Sequence, residues 1–520
     1  MTVVTQHPDD SSTDAGQSVI GYVGPFKNLT ELNNVKTIDS VTKIATLETS
    51  KEGGSEIVAF DKDSQKMFTT NGADNTLDIT PMKEDGTLGT TKQIDLSTYG
   101  AGVQSVAVAN GKVAVAVGSA DKVTTKGKVV VFDVEGNLIS QTTVGYLPDM
   151  VTFSEDGTKV IVANEGEPDA SSGTYVDVAG TVGIVTVADT NNEDNDTGYA
   201  EVGFESATLS DAADETPVRL GGTPSDDKAL DLEPEYITVS GTYAYVTLQE
   251  NNAVAKIDIS TSTPVVIDVK SLGSKDYETE NLIDIEEEGL MKNYAGLKGL
   301  YMPDSIASYK VNGETYLVTA NEGDGREYLD SLDADVFVDE AKIKSLTLDS
   351  VISASYSDEN DLKVITDMGD TDLDGDYDEL YAFGARSFTI WDDEANLVWD
   401  SGDALSKLTS RMMPTLFNQD DGDIDGRSGN KGVEPEALTV GKIGTQTYAF
   451  VGLERQNAIV VYDITTPTNA KFVKFINTQK DGDISPEGMK FIEADNSPTG
   501  NALLLVAFEM SGSTVVYEIK

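Results

Sequence analysis

The sequence has no cysteine and a single histidine, His7, and each scarcity excludes a class of chemistry. Without cysteine there can be no disulfide, no zinc–thiolate site and no thiol nucleophile. The lone histidine lies in a polar N-terminal stretch, so a Ser-His-Asp triad or a histidine-rich zinc site cannot form. P-loop, strand-linked Gly-x-Gly-x-x-Gly and Gly-x-Ser-x-Gly motifs are also missing. Any enzymatic chemistry would therefore use oxygen-ligated metal ions and carboxylate bases.

Basic residues are scarce as well. The 37 Lys and Arg residues stand against 90 Asp and Glu, which gives a formal net charge of −53 over 520 residues. This balance argues against nucleic acid or an anionic membrane as a partner, because phosphate binding needs a basic footprint. It suits metal cations. No apolar stretch of about 18 to 20 residues exists, so the sequence predicts no membrane span. The acidic balance and the absence of cysteine favour a secreted or cell-surface location.

A three-step pattern is repeated seven times along the chain. Each copy begins with an acidic or amide residue before a short apolar run, continues with an apolar strand that ends in a polar break, and finishes with a strand closing in an acid. The spacing alternates between short steps, near the ~40 to 50 residues of a four-stranded blade, and longer ones. The seven first positions are Glu56, Gln104, Asp149, Glu235, Asp304, Glu436 and Glu487.

This repetition predicts an all-β chain that folds as a seven-bladed β-propeller over residues 36–520, after a polar tail at 1–35. Insertions are expected near residues 190–230, 275–298, 325–380 and 403–433. The last copy is one strand short of a full blade, whereas the apolar run at residues 42–47 precedes the first copy and has no blade of its own. We therefore predict that it pairs with residues 514–519 and closes the ring, because closure removes exposed sheet edges.

An acidic loop in the fifth copy predicts a calcium site. Carboxylates alternate with other residues ahead of Gly375, which is the front half of a calcium loop with ligands at positions 1, 3 and 5 and glycine at position 6. Position 12 is Tyr381 instead of the bidentate glutamate of an EF-hand, so Asp378 or Glu379 would have to complete the site. The predicted ligands are Asp370, Asp372, Asp374, Asp376 and Asp378.

A second loop repeats this alternation before the sixth copy. Its predicted ligands are Asp421, Asp423 and Asp425, and Glu434 or Glu436 could complete the set. The alternative for either loop is a solvated acidic turn without a metal. Calcium in these loops would order the insertions instead of taking part in a reaction.

The first positions of the seven copies also predict a metal site at the hub. Strand starts in a propeller converge on the central channel, so their acids should crowd one mouth, where they raise one another's pKa values or recruit a cation. Glu235, Asp304 and Glu487 are the predicted ligands, and the ion would be a second divalent cation or iron. The alternative is that each acid caps backbone amides at a strand turn. The second-step acids expected close by are Glu165, Glu250, Glu322, Glu454 and Glu509.

Four basic side chains, those of Arg326, Arg386, Lys431 and Arg455, stand beside these acids in the sequence. Guanidinium groups above a metal cluster would form a fork for phosphate or carboxylate oxygens. The three arginines, together with Glu436, are therefore the predicted catalytic residues. The alternative is that each basic group neutralises adjacent acids in a buried ion pair.

At these positions the chain resembles the choice-of-anchor I domain family of secreted and surface bacterial proteins. The resemblance extends over residues 41–520, and it implies a surface location. The family includes atypical alkaline phosphatases and is similar to surface glycoproteins associated with animal biomineralisation. The runs that carry it are LEPEYI at 232–237, YVTLQENNA at 245–253, MPD at 302–304, TANEGD at 319–324, FGARSF at 383–388 and GLER at 452–455.

Two hypotheses of function follow. The first is a secreted, calcium-binding, metal-dependent phosphoesterase that acts on phosphate esters in a carboxylate-lined central pocket, where metal ions polarise a phosphoryl oxygen and arginines neutralise developing charge. The second is a noncatalytic surface, matrix or S-layer-like scaffold whose acidic exterior uses calcium to contact surface polymers or mineral. The fold alone does not decide between them.

Overall fold

The structure is a computed structural model that describes residues 38–169, 174–187, 198–221, 227–286, 289–326 and 339–520. The predicted tail at 1–35 lies outside these residues, as do parts of the predicted insertions at 190–230 and 325–380. The described residues have an all-β fold and form eight sheets, most of them with four antiparallel strands. In the part of the chain so described, neither helix has the length and apolar character needed to cross a bilayer.

The first strand, β1 (Val41–Glu48), belongs to the last sheet. After it, three four-stranded sheets follow in chain order, each an antiparallel meander. Sheet 1 contains β2 (Val58–Asp61), β3 (Lys66–Asn71), β4 (Thr76–Pro81) and β5 (Lys92–Asp95). Sheet 2 contains β6 (Gly102–Ala109), β7 (Lys112–Gly118), β8 (Lys128–Asp133) and β9 (Leu138–Thr143). Sheet 3 contains β10 (Pro148–Phe153), β11 (Lys159–Asn164), β12 (Thr181–Thr186) and β13 (Tyr199–Gly203).

The fourth sheet has a fifth strand, which pairs in parallel at its outer edge. Sheet 4 consists of β14 (Leu209–Ser210), then, after the single-turn helix α1 (Lys228–Asp231), β15 (Ile237–Ser240), β16 (Tyr243–Leu248), β17 (Ala253–Asp258) and β18 (Val265–Ser271). An additional sheet then begins with β19 (Ser274–Asp276) and β20 (Leu297–Leu300) and is completed by later strands.

The fifth sheet is interrupted in sequence by that additional sheet. Sheet 5 opens with β21 (Ile306–Val311) and β22 (Glu314–Asn321) and closes with β26 (Ser387–Asp392) and β27 (Leu397–Asp400). Between them, β23 (Glu340–Lys342), β24 (Lys363–Ile365) and β25 (Leu380–Ala382) join β19 and β20 in what we call the insertion sheet. The predicted insertions near 275–298 and 325–380 thus contribute strands to a sheet of their own.

The last two sheets follow the nine-residue helix α2 (Ala404–Met412) and an irregular segment. Sheet 6 contains β28 (Pro435–Ile443), β29 (Gln446–Leu453), β30 (Ala458–Asp463) and β31 (Lys471–Asn477). Sheet 7 contains β32 (Pro486–Ile492), β33 (Ala502–Phe508) and β34 (Ser513–Ile519), and its fourth strand is β1. Thr42 lies opposite Glu518 and Leu47 opposite Thr514 in that antiparallel pair.

Strand composition follows position within each sheet. Middle strands such as β33, with the sequence ALLLVAF, are buried along their whole length because both faces pack on neighbouring sheets. The outer strand β5, with the sequence KQID, is short, polar and largely exposed, which protects a sheet edge from further pairing. The apolar core consequently lies between successive sheets. Phe68 of sheet 1 packs in one cluster with Val115 of sheet 2, and Met67 in another with Leu505 of sheet 7.

The first strands of the seven meander sheets contact one another in chain order. β2 contacts β6, β6 contacts β10, and the series continues through β15, β21, β28 and β32, which in turn contacts β2. The beginnings of these seven strands therefore lie around a common centre.

Candidate metal centre

A repeated backbone irregularity turns acidic side chains toward this centre. At the start of β10, the pairing with β11 skips Asp149, so this residue forms a bulge. The same slip occurs at Glu436 in sheet 6, at Glu487 in sheet 7 and at Gln104 in sheet 2. A β-bulge bends its strand and redirects the extra side chain. These first-position residues thus leave the alternation of the sheet and face the centre.

In four sheets, the residue two positions before the first-position acid is also unusual. Leu147, Met302, Glu434 and Ser485 each directly precede a proline and have φ angles of 44°, 45°, 47° and 62°. Such a left-handed conformation costs on the order of 1 to 3 kcal/mol in a residue other than glycine. It therefore persists only where the surrounding structure holds it.

A backbone hydrogen bond within the sheet holds these residues in the left-handed conformation. The carbonyl oxygen of Leu147 accepts the backbone N–H of Glu165 at 2.9 Å, that of Glu434 accepts the N–H of Glu454 at 2.8 Å, and that of Ser485 accepts the N–H of Glu509 at 3.0 Å. Each donor is the polar-break residue that follows the second strand of its sheet. The first-step and second-step acids of these sheets are consequently fixed as pairs.

The acids converge on a cavity of about 690 Å³ at the hub. Two cationic side chains, Lys431 and Arg455, face eleven carboxylic acids around its wall. All seven first-position residues contribute to the lining, as do four of the five second-step acids. The lining acids are Glu56, Asp149, Glu165, Glu235, Asp304, Glu322, Asp324, Glu436, Glu454, Glu487 and Glu509.

Burial and mutual repulsion disfavour ionisation of these acids. Burial, reinforced by Glu509 and Asp149, raises the pKa of Glu56 to about 7, and burial raises the pKa of Asp149 to about 6. Burial, together with Glu322 for the first and Glu487 for the second, holds the pKa values of Asp304 and Glu436 well above the ordinary range. A group of acids in this condition binds either protons or a cation.

The positions of the carboxylate oxygens fit a hard cation. One oxygen each from Asp304, Glu322 and Glu436 lie within 4.8 Å of one another, and Glu322, Glu434 and Glu454 form a second such group. Oxygens at these separations can share an ion that takes Ca–O distances of about 2.3 to 2.6 Å. Oε2 of Glu436 is buried and accepts no hydrogen bond from any described residue. That oxygen is therefore available as a ligand.

The cationic groups lie on one side of the cavity. Lys431 Nζ contacts Glu322 Oε1 at 2.8 Å and Asp324 Oδ1 at 3.2 Å. Burial opposes its charged form, but these two acids outweigh burial and raise the pKa of Lys431 well above its ordinary value. Arg455 Nε lies 3.2 Å from Glu454 and 3.6 Å from Glu434, and its side chain is 33% exposed. A ligand in the cavity could thus reach Arg455.

Glu434, a residue that the sequence pattern assigned to the second calcium loop, instead belongs to this cationic side. Its side chain is fully buried, and Oε1 accepts a hydrogen bond of 2.6 Å from Arg427 Nε. The sequence pattern did not identify Arg427, because this residue lies in an irregular segment outside the repeat. The signal for Glu434 was present, since it directly precedes Pro435 at the start of β28.

Of the three predicted catalytic arginines, only Arg455 lines the cavity. Arg326 is buried, with Nη2 at 3.6 Å from Asp231 and Nε at 4.0 Å from Glu233. This arrangement matches the buried ion pair that was the alternative for the arginines.

Arg386 is likewise buried and away from the cavity. Its Nη1 donates to the carbonyl oxygen of Asp284 at 2.7 Å, and Nη2 donates to those of Ser428 and Asn430 at 2.9 and 2.7 Å. It joins two segments of the insertions.

A smaller acidic cavity of about 230 Å³ adjoins the hub. It shares Glu165 and Glu235 with the main cavity and adds Glu167, Glu233 and Glu250. Oε2 of Glu235 and Oε2 of Glu250 are buried, and neither accepts a hydrogen bond within the described part of the chain. Electrostatically, the two cavities form one continuous acidic region.

The first predicted calcium loop divides into two groups. Oxygens of Asp370, Asp372 and Asp374 lie within 4.8 Å of one another, whereas Asp376 and Asp378 group with Asp349, which the sequence pattern did not identify. Backbone N–H groups of residues 374 and 375 donate to the Asp370 carboxylate at 3.2 and 3.1 Å. The turn is therefore folded around its first acid, as a calcium loop would be.

The second predicted loop does not gather its acids. Asp421 and Asp423 are exposed, whereas Asp425 is buried. Among the described residues these three carboxylates form no common group of ligand oxygens. Glu436, the other candidate for completing the loop, is at the hub.

Known proteins with similar sequences cover this chain only in part. Gigasin-3a of Magallana gigas is 28% identical over 170 residues, which span 28% of this chain and 60% of that protein. The mesenchyme-specific cell surface glycoprotein of Strongylocentrotus purpuratus is 26% identical over 327 residues, which span 55% of this chain and 40% of that protein. The chain thus matches less than two thirds of the length of either relative.

Three solved structures share a broad likeness, at TM-scores below 0.5 that carry no argument about function. Kuenenia stuttgartiensis hydrazine synthase has a TM-score of 0.46 at 13% identity, covering 91% of this chain and 97% of that chain. The β-propeller domain of Myceliophteria thermophila Cps50 (Swd1) gives 0.45 at 9%, covering 92% and 100%. The WD40 domain of Neurospora crassa Pan2 gives 0.42 at 9%, covering 92% and 95%.

The family assignment comes from the sequence itself. The profile of the choice-of-anchor I domain matches residues 56–467, a range that includes the first-position residues of six sheets and all of the insertions between them. Since this match covers most of the chain, the protein belongs to the choice-of-anchor I domain family.

Proposed function

We propose that the protein is a secreted or cell-surface β-propeller whose hub binds divalent cations. In this proposal the seven meander sheets are the blades of a closed ring, with β1 completing the last blade. The observation that carries the proposal is the group formed by Asp304, Glu322 and Glu436, in which a buried oxygen of Glu436 accepts no hydrogen bond from the described residues. The choice-of-anchor I assignment and the cell-surface name of one relative support the location.

The proposed cations are calcium in the loop at residues 370–378 and either calcium, another divalent ion or iron at the hub. Oxygen-only ligand sets favour hard cations. The hub acids are also too many to be neutralised by Lys431 and Arg455 alone. Cation binding would relieve their repulsion while preserving the buried carboxylates.

The test is a metal count on three forms of the protein. The parent, the hub variant Asp304→Asn/Glu436→Gln and the loop variant Asp372→Ala/Asp374→Ala are equilibrated with calcium, iron or manganese, freed of unbound metal, and analysed by mass spectrometry. We expect the hub variant to lose at least one equivalent that the loop variant retains, because the amides keep the side-chain shape but remove the charge. If the hub variant and the parent contain equal amounts of metal, the hub acids are protonated and do not bind a cation.

The loop variant answers a separate question. It should lose calcium equivalents that the hub variant keeps, together with much of the rise in melting temperature on adding calcium, since a ligand that binds only the native state stabilises it. If its calcium content and melting temperature match those of the parent, the loop is a solvated acidic turn.

A second candidate function, hydrolysis of phosphate esters, is favoured by the position of Arg455. This guanidinium, on a side chain that is one third exposed, borders the cavity beside Glu454, in the same sheet as Glu436. A cation bound to the hub acids would polarise a phosphoryl oxygen and supply activated water. Arg455 would orient the ester and neutralise its developing charge, and Lys431 stands on the same side as a second positive group.

This candidate is tested with p-nitrophenyl phosphate and bis-p-nitrophenyl phosphate under calcium, zinc, iron or manganese. We expect Arg455→Ala to lower kcat/KM by roughly 10²-fold or more, the scale of losing one preorganised charge-stabilising group. Arg455→Lys should rescue poorly because an ammonium lacks the planar fork. Arg411→Ala, at an exposed position in α2, serves as the matched control. If the parent hydrolyses neither ester with any metal, the noncatalytic acidic scaffold is the better account.

A further inference from the structure

The smaller acidic cavity beside the hub has a wall made almost entirely of carboxylates. Six acids and Gly325 line its volume of about 230 Å³. Glu165 follows the second strand of sheet 3, Glu250 follows the second strand of sheet 4, and Asp324 follows that of sheet 5. Glu235, ahead of the first strand of sheet 4, lines both this cavity and the main one. Three successive sheets therefore bring negative charge to one small space.

Two of these acids have an oxygen atom that lacks a hydrogen-bond donor. Glu235 is 9% exposed and Glu250 is 7% exposed. Oε2 of each side chain is buried and accepts no hydrogen bond from the described residues. An ionised carboxylate can only accept hydrogen bonds, and a buried acceptor left without a donor is costly. An occupant of the cavity that carries positive charge and hydrogen-bond donors would satisfy both oxygens.

The basic side chains near the cavity are engaged at its margins. Lys122 contacts Glu167, and Arg326 Nε lies 4.0 Å from Glu233. The two acids with unsatisfied oxygens form no ion pair with any lysine or arginine that the structure describes. The internal segments outside the described ranges contain no lysine or arginine in their sequence. A bound cation is therefore the simplest source of the missing positive charge.

The spacing of the acids differs from that at the hub. Asp304, Glu322 and Glu436 present three oxygens within 4.8 Å of one another, whereas no three acids of the smaller cavity do so among the residues described. Calcium bound directly takes six to eight oxygens at about 2.3 to 2.6 Å. The acids of the smaller cavity are too dispersed to surround a bare ion in that way. They could instead contact an ion through the water molecules bound to it.

The size and polarity of the cavity fit a hydrated ion. A water molecule needs only about 10 to 15 Å³ of such volume, so a cavity of about 230 Å³ holds several. Magnesium gives up its waters reluctantly and usually keeps several of them when bound. Waters on a cation donate hydrogen bonds, which is what the unsatisfied carboxylate oxygens require. An alkylammonium chain, by contrast, would find no apolar side chain in this wall.

We propose that the smaller cavity binds a hydrated divalent cation, with magnesium as the best match, whose waters donate hydrogen bonds to Glu235 and Glu250. This mode of binding differs from the direct ligation proposed for Asp304, Glu322 and Glu436. It does not require an ion at those three acids. The protein would thus hold two kinds of cation side by side, one bound directly and one bound through its water.

The test titrates the protein with cobalt(III) hexaammine, whose six ammine ligands do not exchange, so that it binds only through N–H donors. Isothermal titration calorimetry at about 0.15 M salt screens weak association with exposed acids. We expect the parent to bind one equivalent that magnesium displaces. Glu250→Gln, which changes an acid of the smaller cavity only, should weaken this binding by roughly tenfold or more, because a neutral amide accepts hydrogen bonds less strongly than a carboxylate. Glu84→Gln, at an exposed position, is the matched control and should bind as the parent does.

Two results would overturn the proposal. If the parent binds no hexaammine, or Glu250→Gln and the parent bind it equally well, the acids of the cavity are protonated or the ion is adventitious. If manganese binds in the cavity but hexaammine does not, the acids ligate the metal directly. Should Glu250→Gln fail to fold, Glu235→Gln provides the same comparison.

Two further measurements locate the ion and separate it from the hub. Crystals soaked in hexaammine should show an anomalous difference peak for cobalt between Glu235 and Glu250. The Asp304→Asn/Glu436→Gln variant should keep the hexaammine equivalent, because those two acids do not line the smaller cavity. A failure of direct metal binding at the hub would therefore leave the hexaammine result unchanged.

Discussion

At the scale of single residues, Arg386 shows how an arginine can be committed to the backbone. Sequence context placed it beside acids and predicted a phosphate-binding role. In the structure, its guanidinium donates to three carbonyl oxygens in two insertions and is 3% exposed. Gly432 allows this approach, because a Cβ at that position would lie 2.8 Å from the Arg386 side chain. The planar fork is therefore used for structure.

We predict that Arg386→Lys destabilises the protein by at least about 2 kcal/mol, because a single ammonium cannot reach all three carbonyls and each buried group left unpaired costs about 1 to 3 kcal/mol. Urea denaturation followed by circular dichroism measures the change, with Arg411→Lys in α2 as a surface control. If the two variants unfold at the same urea concentration, the carbonyl contacts contribute nothing to stability.

The acids of the hub could be located from sequence, whereas the destinations of the arginines could not. A first-position acid such as Glu436 is identified by the repeat, and the start of a strand fixes where its side chain lies. An arginine such as Arg326 has a long, flexible side chain whose partners come from distant segments, here Asp231 and Glu233.

At the scale of elements, the predicted pairing of residues 42–47 with residues 514–519 is present in the structure as the pair of β1 and β34. The run at residues 42–47 lies within β1, which pairs with β34 through seven residue pairs and has one irregularity between Lys43 and Ala45. Lys43 Nζ also reaches Asp483 Oδ2 at 2.8 Å. The bulges at Asp149, Glu436 and Glu487 were not foreseen, since the sequence pattern specifies which residue starts a strand but not how the pairing slips.

Deleting residues 1–48 should expose the edge of β34 and cause aggregation or a large loss of thermal stability, because unpaired edge strands recruit other chains. Calorimetry and light scattering measure the two effects. The point variant Lys43→Ala removes only the ion pair but leaves the buried Asp483 carboxylate without its cation, so it should cost about 1 to 3 kcal/mol, less than the deletion. A truncated protein that melts within a degree or two of the parent would show that sheet 7 does not need its fourth strand.

At the scale of the whole molecule, charge dominates. A net charge of −53 is spread over the chain, and eleven acids meet at one cavity. Composition alone predicted that metal cations would be the favoured partners, and the repeat predicted where the acids would be concentrated. Neither composition nor the repeat could predict how deeply these acids are buried, because their burial depends on packing between sheets.

This burial predicts an unusual pH dependence. Glu56, Glu250 and Glu454 have pKa values raised to about 7, chiefly by burial, and that of Asp149 is raised to about 6. Between the unfolded values near 4 and these folded values, the native state binds more protons than the unfolded state, so its stability falls as pH rises. In chelator, the melting temperature should therefore decrease from about pH 5 to about pH 8.

Saturating divalent cations should flatten that decline, because a bound cation replaces the protons. The Asp304→Asn/Glu436→Gln variant should decline less steeply in chelator, since two of the titrating acids are gone. Melting curves at a series of pH values, with and without calcium, measure both effects. A melting temperature that rises across this range in chelator would contradict the assigned pKa directions.

The pairing of β1 with β34 also has a consequence for biosynthesis. β1 can pair only after β34 has been synthesised, and at about 5 to 20 residues per second the chain between them takes roughly half a minute to a minute and a half to translate. During that interval β1 lacks its pairing partner, and folding of the nearby chain cannot supply one. Sheet 7 is therefore completed only after β34 has been synthesised, so a ribosome that stalls before β34 would leave β1 and β33 each with an unpaired edge.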